Sequence, residues 1–180
     1  MIAKMMYRSL LAAIVLITVG CVTPLPANRQ AMTPASISIG THHPYSVSVK
    51  TSGGSETENL GSSNISNAEL QAAIESAITD SRLFQRVVRG SDGRDYELAV
   101  TLFELNKPLF GSTFTVTMET AWTLTRISDG RVVFRKGISS TGVATGSDTW
   151  IGVHRLRMAV EAAARNAISQ GIQAIAETKL

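Results

Sequence analysis

The chain has 180 residues, 44% of them hydrophobic, a net charge of +3 and a single cysteine. Lys4 and Arg8 supply two of those three charges in a first stretch of 20 residues without an acid, leaving +1 on the rest, so nucleic-acid binding loses its compositional support. The 160 residues that remain are enough for one domain with a buried core.

The chain opens as a secretory leader. Lys4 and Arg8 form a positive front, Leu10 to Val19 an apolar stretch, and Gly20 is the small residue a peptidase needs before its cut. The run from Ser9 to Gly20 is about 12 residues, inside the roughly 7–15 of a signal h-region and short of the roughly 20 of a spanning helix. Residues 1–20 are therefore read as a signal peptide. Thr18-Val19-Gly20-Cys21 resembles the lipobox of bacterial lipoproteins, which prefers Leu where Thr18 stands. The resemblance implies cleavage before Cys21, two acyl chains on its sulfur and one on its amine, more than the two signals stable anchoring needs. Val22 stands where an Asp would hold such a protein at the inner membrane. Its presence implies transfer to the outer membrane, facing the periplasm. The alternative is a plain secreted protein with an unrelated thiol, which leaves an odd cysteine in an oxidising compartment unexplained.

Residues 21–35 read as the lipidated cysteine and a flexible tether, with Pro24, Pro26 and Pro34 and a reach of roughly 40 Å at about 3.1 Å per residue. A single domain spans 36–180. Ile37 and Ile39, then Tyr45, Val47 and Val49, alternate as a strand over 36–50, with Pro44 marking an edge strand or a break. Residues 51–64 read as a loop. Ser66 with Glu69 has capping-box spacing, and Leu70, Ala73, Ile74, Ala77 and Ile78 share one helical face. The helix should stop near Asp80 or Leu83, before a short strand over 83–88.

Tyr96, Leu98, Val100 and Leu102 alternate as a strand with one buried face, and the slip to Phe103 and Leu105 predicts a bulge at Leu102 or Phe103. In the next strand Phe114, Val116, Met118, Trp122 and Leu124 share one parity and the threonines the other. Ser128-Asp129-Gly130 turns the chain into a strand over 131–139. A three-residue loop with left-handed Gly130 pairs Leu124 with Phe134 and Arg126 with Val132, keeping apolar residues on one face. Residues 141–149 read as a flexible, glycine-rich loop. A long helix follows to about Thr178, with Leu156, Val160, Ala163, Ala164, Ala167, Ile168 and Ile175 as its buried stripe. Gly171 inside that stripe points to close approach to the sheet. The order is β-α-β-β-β-β-α. It predicts an α+β two-layer sandwich: an antiparallel sheet of about four to five strands, two helices on one face, and a threonine-rich face left for water or a partner.

Chemistry-bearing residues are sparse. Adjacent His42 and His43 point apart on a strand and cannot easily share a metal; an exposed turn before Pro44 explains them, and no metal or cofactor is expected. His154, a candidate base, has no evident orienting acid, since Asp148 reads as a helix N-cap. Glu97, Glu104 and Glu119 read as an outward, solvated face. Serines occur in loops rather than at a strand-to-helix elbow, and 142–146 lacks the lysine of a phosphate loop. Leu109 and Phe110 sit in a strand-to-strand loop where polar residues are expected. They either contact a partner or membrane, or Phe110 folds back as a lid on the core; Trp150 is a further contact candidate or a plug for the long helix.

Leu83-Phe84 with Val87, Asp95-Tyr96-Glu97-Leu98, Trp122-Thr123-Leu124, Asp129-Gly130-Arg131-Val132-Val133 and the closing amphipathic helix together resemble the auxiliary lipoproteins of ABC-type lipid transport systems. The same layout is similar to α+β modules of lipoproteins that activate peptidoglycan synthases or assemble secretion pores. The resemblance implies a non-catalytic accessory or assembly factor of an envelope complex, held to the membrane through Cys21 and meeting a protein partner. A periplasmic lipid- or glycan-binding module and a small hydrolase are the alternatives. An apolar pocket between helices and sheet would favour the first of these, and a buried, bonded His154 and acid the second.

Overall fold

The structure is a computed structural model and describes residues 25–58 and 62–180. The leader and Cys21 lie outside the described residues. The elements are α1 (Arg29–Met32), β1 (His43–Ser52), α2 (Asn67–Ser81), β2 (Phe84–Val87), β3 (Tyr96–Asn106), β4 (Phe114–Arg126), β5 (Val132–Ala144) and α3 (Gly152–Ala176). Apart from α1 this is the expected order, and the fold is the expected α+β sandwich. One sheet in the order β2-β1-β3-β4-β5 carries α2 over β1 and β2, and α3 over β4 and β5.

The sheet is mixed rather than wholly antiparallel. β3, β4 and β5 are antiparallel neighbours, whereas β1 runs parallel to both β2 and β3. Parallel pairing needs a crossover, and α2 supplies it between β1 and β2. β1 is thus an interior strand despite Pro44. The proline falls between His43 and Ser46, where pairing with β2 slips, and before Val47, where β3 begins to pair. Its missing N–H therefore costs no ladder bond. Residues 36–42 are not strand; Ile37 and Ile39 pack instead against the core.

Local signals explain most element ends. The Ser66 hydroxyl accepts from the Glu69 N–H at 3.2 Å, and α2 buries Leu70, Ala73, Ile74, Ala77 and Ile78. Arg82, left-handed at φ 55°, ends it. Phe103 is the extra residue of the expected bulge, between the pairs Leu102–Thr120 and Glu104–Glu119. Leu124 faces Phe134 as expected, and Gly130 is left-handed at φ 68°. Val132, however, faces Thr125 rather than Arg126, with Val133 as the unpaired residue.

Two expectations need correcting. β5 runs on to Ala144, so 141–144 is strand rather than flexible loop. Gly142 belongs there because α3 crosses directly above it: a Cβ would overlap the Ala159 carbonyl oxygen and the Ala163 nitrogen. Likewise, part of the expected tether belongs to the folded body. Met32 and Ala27 are buried. The Asn28 N–H donates to Glu161 at 3.0 Å, the Arg29 N–H to Glu69 at 2.9 Å, and Arg165 to the Ala31 carbonyl at 2.6 Å. Any tether therefore ends by Ala27.

The core lies between sheet and helices. β4 buries Phe114, Val116, Met118, Trp122 and Leu124, and α3 buries the whole expected stripe. The opposite sheet face presents Ala99, Thr101, Thr115, Thr117, Ala121, Thr123 and Thr125, and no described helix packs on it. Among the described residues no helix is long and apolar enough to cross a membrane.

Candidate functional site

Antiparallel β3, β4 and β5 send two connections to the same end of the sheet: 107–113 between β3 and β4, and 145–151 between β5 and α3. Arg155, in the first turn of α3, ties them together. Its guanidinium donates to the Gly111 carbonyl and to the Thr149 carbonyl, both at 3.0 Å, and lies 5.1 Å from the centroid of the Phe114 ring. Each loop has a further set of bonds, internal in 145–151 and to the β1–α2 connection in 107–113. Asp148 accepts from the Thr145 N–H at 2.7 Å and the Thr145 hydroxyl at 2.9 Å, bonds that hold its carboxyl below the usual range. Lys107 donates to the Ser63 carbonyl at 3.0 Å and to the Asn64 side chain, and burial pushes its pKa down.

With their backbones so held, the loops leave four large apolar side chains in water. Leu109 is 92% exposed, Phe110 86%, Trp150 92% and Ile151 54%. Phe110 does not fold back as a lid, and Trp150 does not plug α3. Arg155 brings the loops bearing these three predicted residues to one tip. Ile151 was not anticipated; as the residue just before α3, with no side-chain cap bond, it is invisible to helical periodicity. Val143, at the tip end of β5, adds a further half-exposed apolar side chain. These exposed apolar side chains are gathered at one end of the sheet on loops tied together by Arg155.

The described chain begins at the same end. The Ala27 N–H donates to the Asn64 carbonyl at 3.1 Å, and Asn64 is also the residue Lys107 grips at the base of the Leu109–Phe110 loop.

The remaining candidates stay apart. The His42 ring bonds the Arg82 carbonyl at 2.8 Å, while the His43 ring bonds the Ile175 carbonyl at 3.2 Å and packs on Phe84. His43 is buried in the core rather than in an exposed turn, and that burial lowers its pKa. Asp148 closes its own turn rather than capping α3, whose N-cap is Ile151. Half-buried His154 is not bonded to it. Glu97 pairs with Lys50 at 2.9 Å and Arg94 at 3.0 Å, and Glu104 stands opposite Glu119 on the uncovered face. A shallow groove of about 800 Å³ runs along the β2 edge, lined by His42, Pro44, Arg82, Phe84 and Arg86 among others.

The fold and its two exposed surfaces, the apolar tip and the uncovered sheet face, can be set beside known proteins. No family model matches the chain, and no curated protein is similar to it in sequence. Its fold is shared with solved structures of low identity. A Xanthomonas campestris protein of the DUF330 family is 19% identical over 83% of this chain and 91% of its own, with a TM-score of 0.58. A hypothetical protein from Chlamydia trachomatis is 8% identical over 73% and 98%, with a TM-score of 0.53. The PelC dodecamer from Paraburkholderia phytofirmans is 14% identical over 77% and 92%, with a TM-score of 0.50.

Proposed function

We propose that this protein is a bacterial envelope lipoprotein, anchored through acyl chains on Cys21 in the outer membrane and acting from the periplasmic face as a non-catalytic accessory or assembly factor of an envelope complex. The observation that carries this reading is the apolar tip at the end where the chain arriving from Cys21 joins the body. The leader and the lipobox-like 18–21 supply the anchor. The uncovered sheet face, where threonines and alanines alternate with charged side chains such as Glu97, Glu104, Glu119 and Arg135, is the surface offered to a protein partner. PelC, of the same fold, forms a dodecamer, so the architecture is compatible with assembly. The link to lipid transport rests on the sequence resemblance alone.

Two measurements test the reading. Palmitate labelling should mark the wild-type protein and not Cys21→Ser; equal labelling of both removes the anchor. A photo-crosslinking side chain at Thr123 in the living envelope should capture one reproducible protein, and no reproducible neighbour removes the accessory role. The groove along β2 favours a second reading, a module binding an anionic lipid or glycan between Arg82 and Arg86. Loss of a bound lipid on Arg82→Ala plus Arg86→Ala, with the crosslink intact, would support it.

A further inference from the structure

We propose that the tip formed by Leu109, Phe110, Trp150 and Ile151 is a membrane-contact surface, resting on the same bilayer leaflet that holds the acyl chains of Cys21. The inference rests on the lipoprotein reading for the anchor and goes beyond it in assigning the tip an occupant.

Three observations select the bilayer over a protein partner. The first is where the chain joins the body. Ala27 is fixed to Asn64, beside Lys107 and the base of the Leu109–Phe110 loop. The second is length. Five residues lie between Cys21 and Ala27, and each of the six steps of a fully extended chain covers at most about 3.6 Å, so the tip end lies within roughly 20 Å of the anchor. The docking of α1 removes the longer tether that would let the body turn over freely. The third is composition. A tryptophan, a phenylalanine, a leucine and an isoleucine, 54–92% exposed, stand on backbone held by Arg155, Asp148 and Lys107. Arg155 and Asp148 are bonded to the loops' own backbone and Lys107 is turned back to Ser63 and Asn64, so the four exposed apolar side chains lead the tip, with Trp150 suited to the headgroup level. Acyl chains and tip then act as two attachments that fix orientation as well as location. The helix C-terminal end and the β4–β5 turn point into the periplasm.

The test uses the full-length acylated protein in vesicles of phosphatidylethanolamine and phosphatidylglycerol carrying brominated acyl chains. Trp122, the other tryptophan, is buried beneath Gly171 and serves as an internal reference. Flotation reports the anchor, and quenching of Trp150 reports the tip. The expected result is flotation with a blue-shifted, quenched Trp150. Leu109→Ser plus Phe110→Ser should float equally and lose at least half of that quenching, with an unchanged melting temperature because both side chains are already in water. A protein that floats with Trp150 unquenched overturns the proposal, leaves the anchor standing, and assigns the tip to a protein. Cys21→Ser should require at least a hundredfold more lipid for the same quenching, because every buried CH2 of the acyl chains adds to membrane affinity. Should wild type and Cys21→Ser float alike, the anchor falls, and quenching of Trp150 at excess lipid still decides the tip.

Discussion

Gly171 and Trp122 meet so closely that a Cβ on the glycine would lie 2.7 Å from the indole ring. The indole cannot retreat, because its N–H donates to Thr120 at 3.0 Å and Thr120 in turn donates to the Ile138 carbonyl. Gly171→Ala should therefore destabilise by about 1–3 kcal/mol despite the better helix propensity of alanine, measured by chemical denaturation. A stabilised variant would contradict this packing. His43 makes stability depend on pH. Burial lowers its pKa, so the unfolded chain takes up a proton first as pH falls below about 6.5, and stability drops from there until the folded form also protonates. His43→Gln should flatten the melting temperature in that window. Glu161 works in the opposite sense. Burial raises its pKa, so the folded state holds the proton more tightly and stability declines as pH rises from the ordinary carboxylate range. Glu161→Gln keeps an acceptor for the Asn28 N–H and removes the buried charge. It should be at least as stable as wild type at pH 7 in thermal melts.

The elements divide by how local their signals are. The start of α2, the bulge at Phe103, the Leu124–Phe134 pairing and the stripe of α3 were legible, because each is written in residues a few positions apart. The interior place of β1 was not, because parallel pairing leaves no mark in either strand's own alternation. Gly142 reads as loop in the sequence for a related reason. What demands a glycine there is the backbone of α3, about twenty residues onward, and a glycine required by a distant helix looks the same as one in a flexible turn. α1 is hidden by the flanking prolines Pro26 and Pro34, and because Met32 and Ala27 are too few to show a period. Its attachment is testable. Met32→Ala should cost about 2–5 kcal/mol in denaturant if α1 is part of the cooperative unit. A loss near zero would make it a separable strap. At the tip, residue type alone marked Leu109, Phe110 and Trp150. Their convergence depended on Arg155, which no spacing rule singles out.

At the scale of the molecule, the sheet has two ends with different surroundings. One carries the apolar tip and receives the chain from Cys21; the other carries the β4–β5 turn and the C-terminal end of α3. Between them lies an uncovered face of threonine, alanine and charged side chains, held at a fixed height if both attachments form. The central claim is this orientation, and thiol labelling in intact envelopes tests it directly. In the full-length protein in its native envelope, Phe110→Cys and Ser128→Cys place one new thiol at each end. A membrane-impermeant maleimide admitted to the periplasm should label position 128 readily and position 110 several-fold more slowly, with the difference abolished when detergent dissolves the membrane. Equal labelling of both positions before detergent would contradict the account.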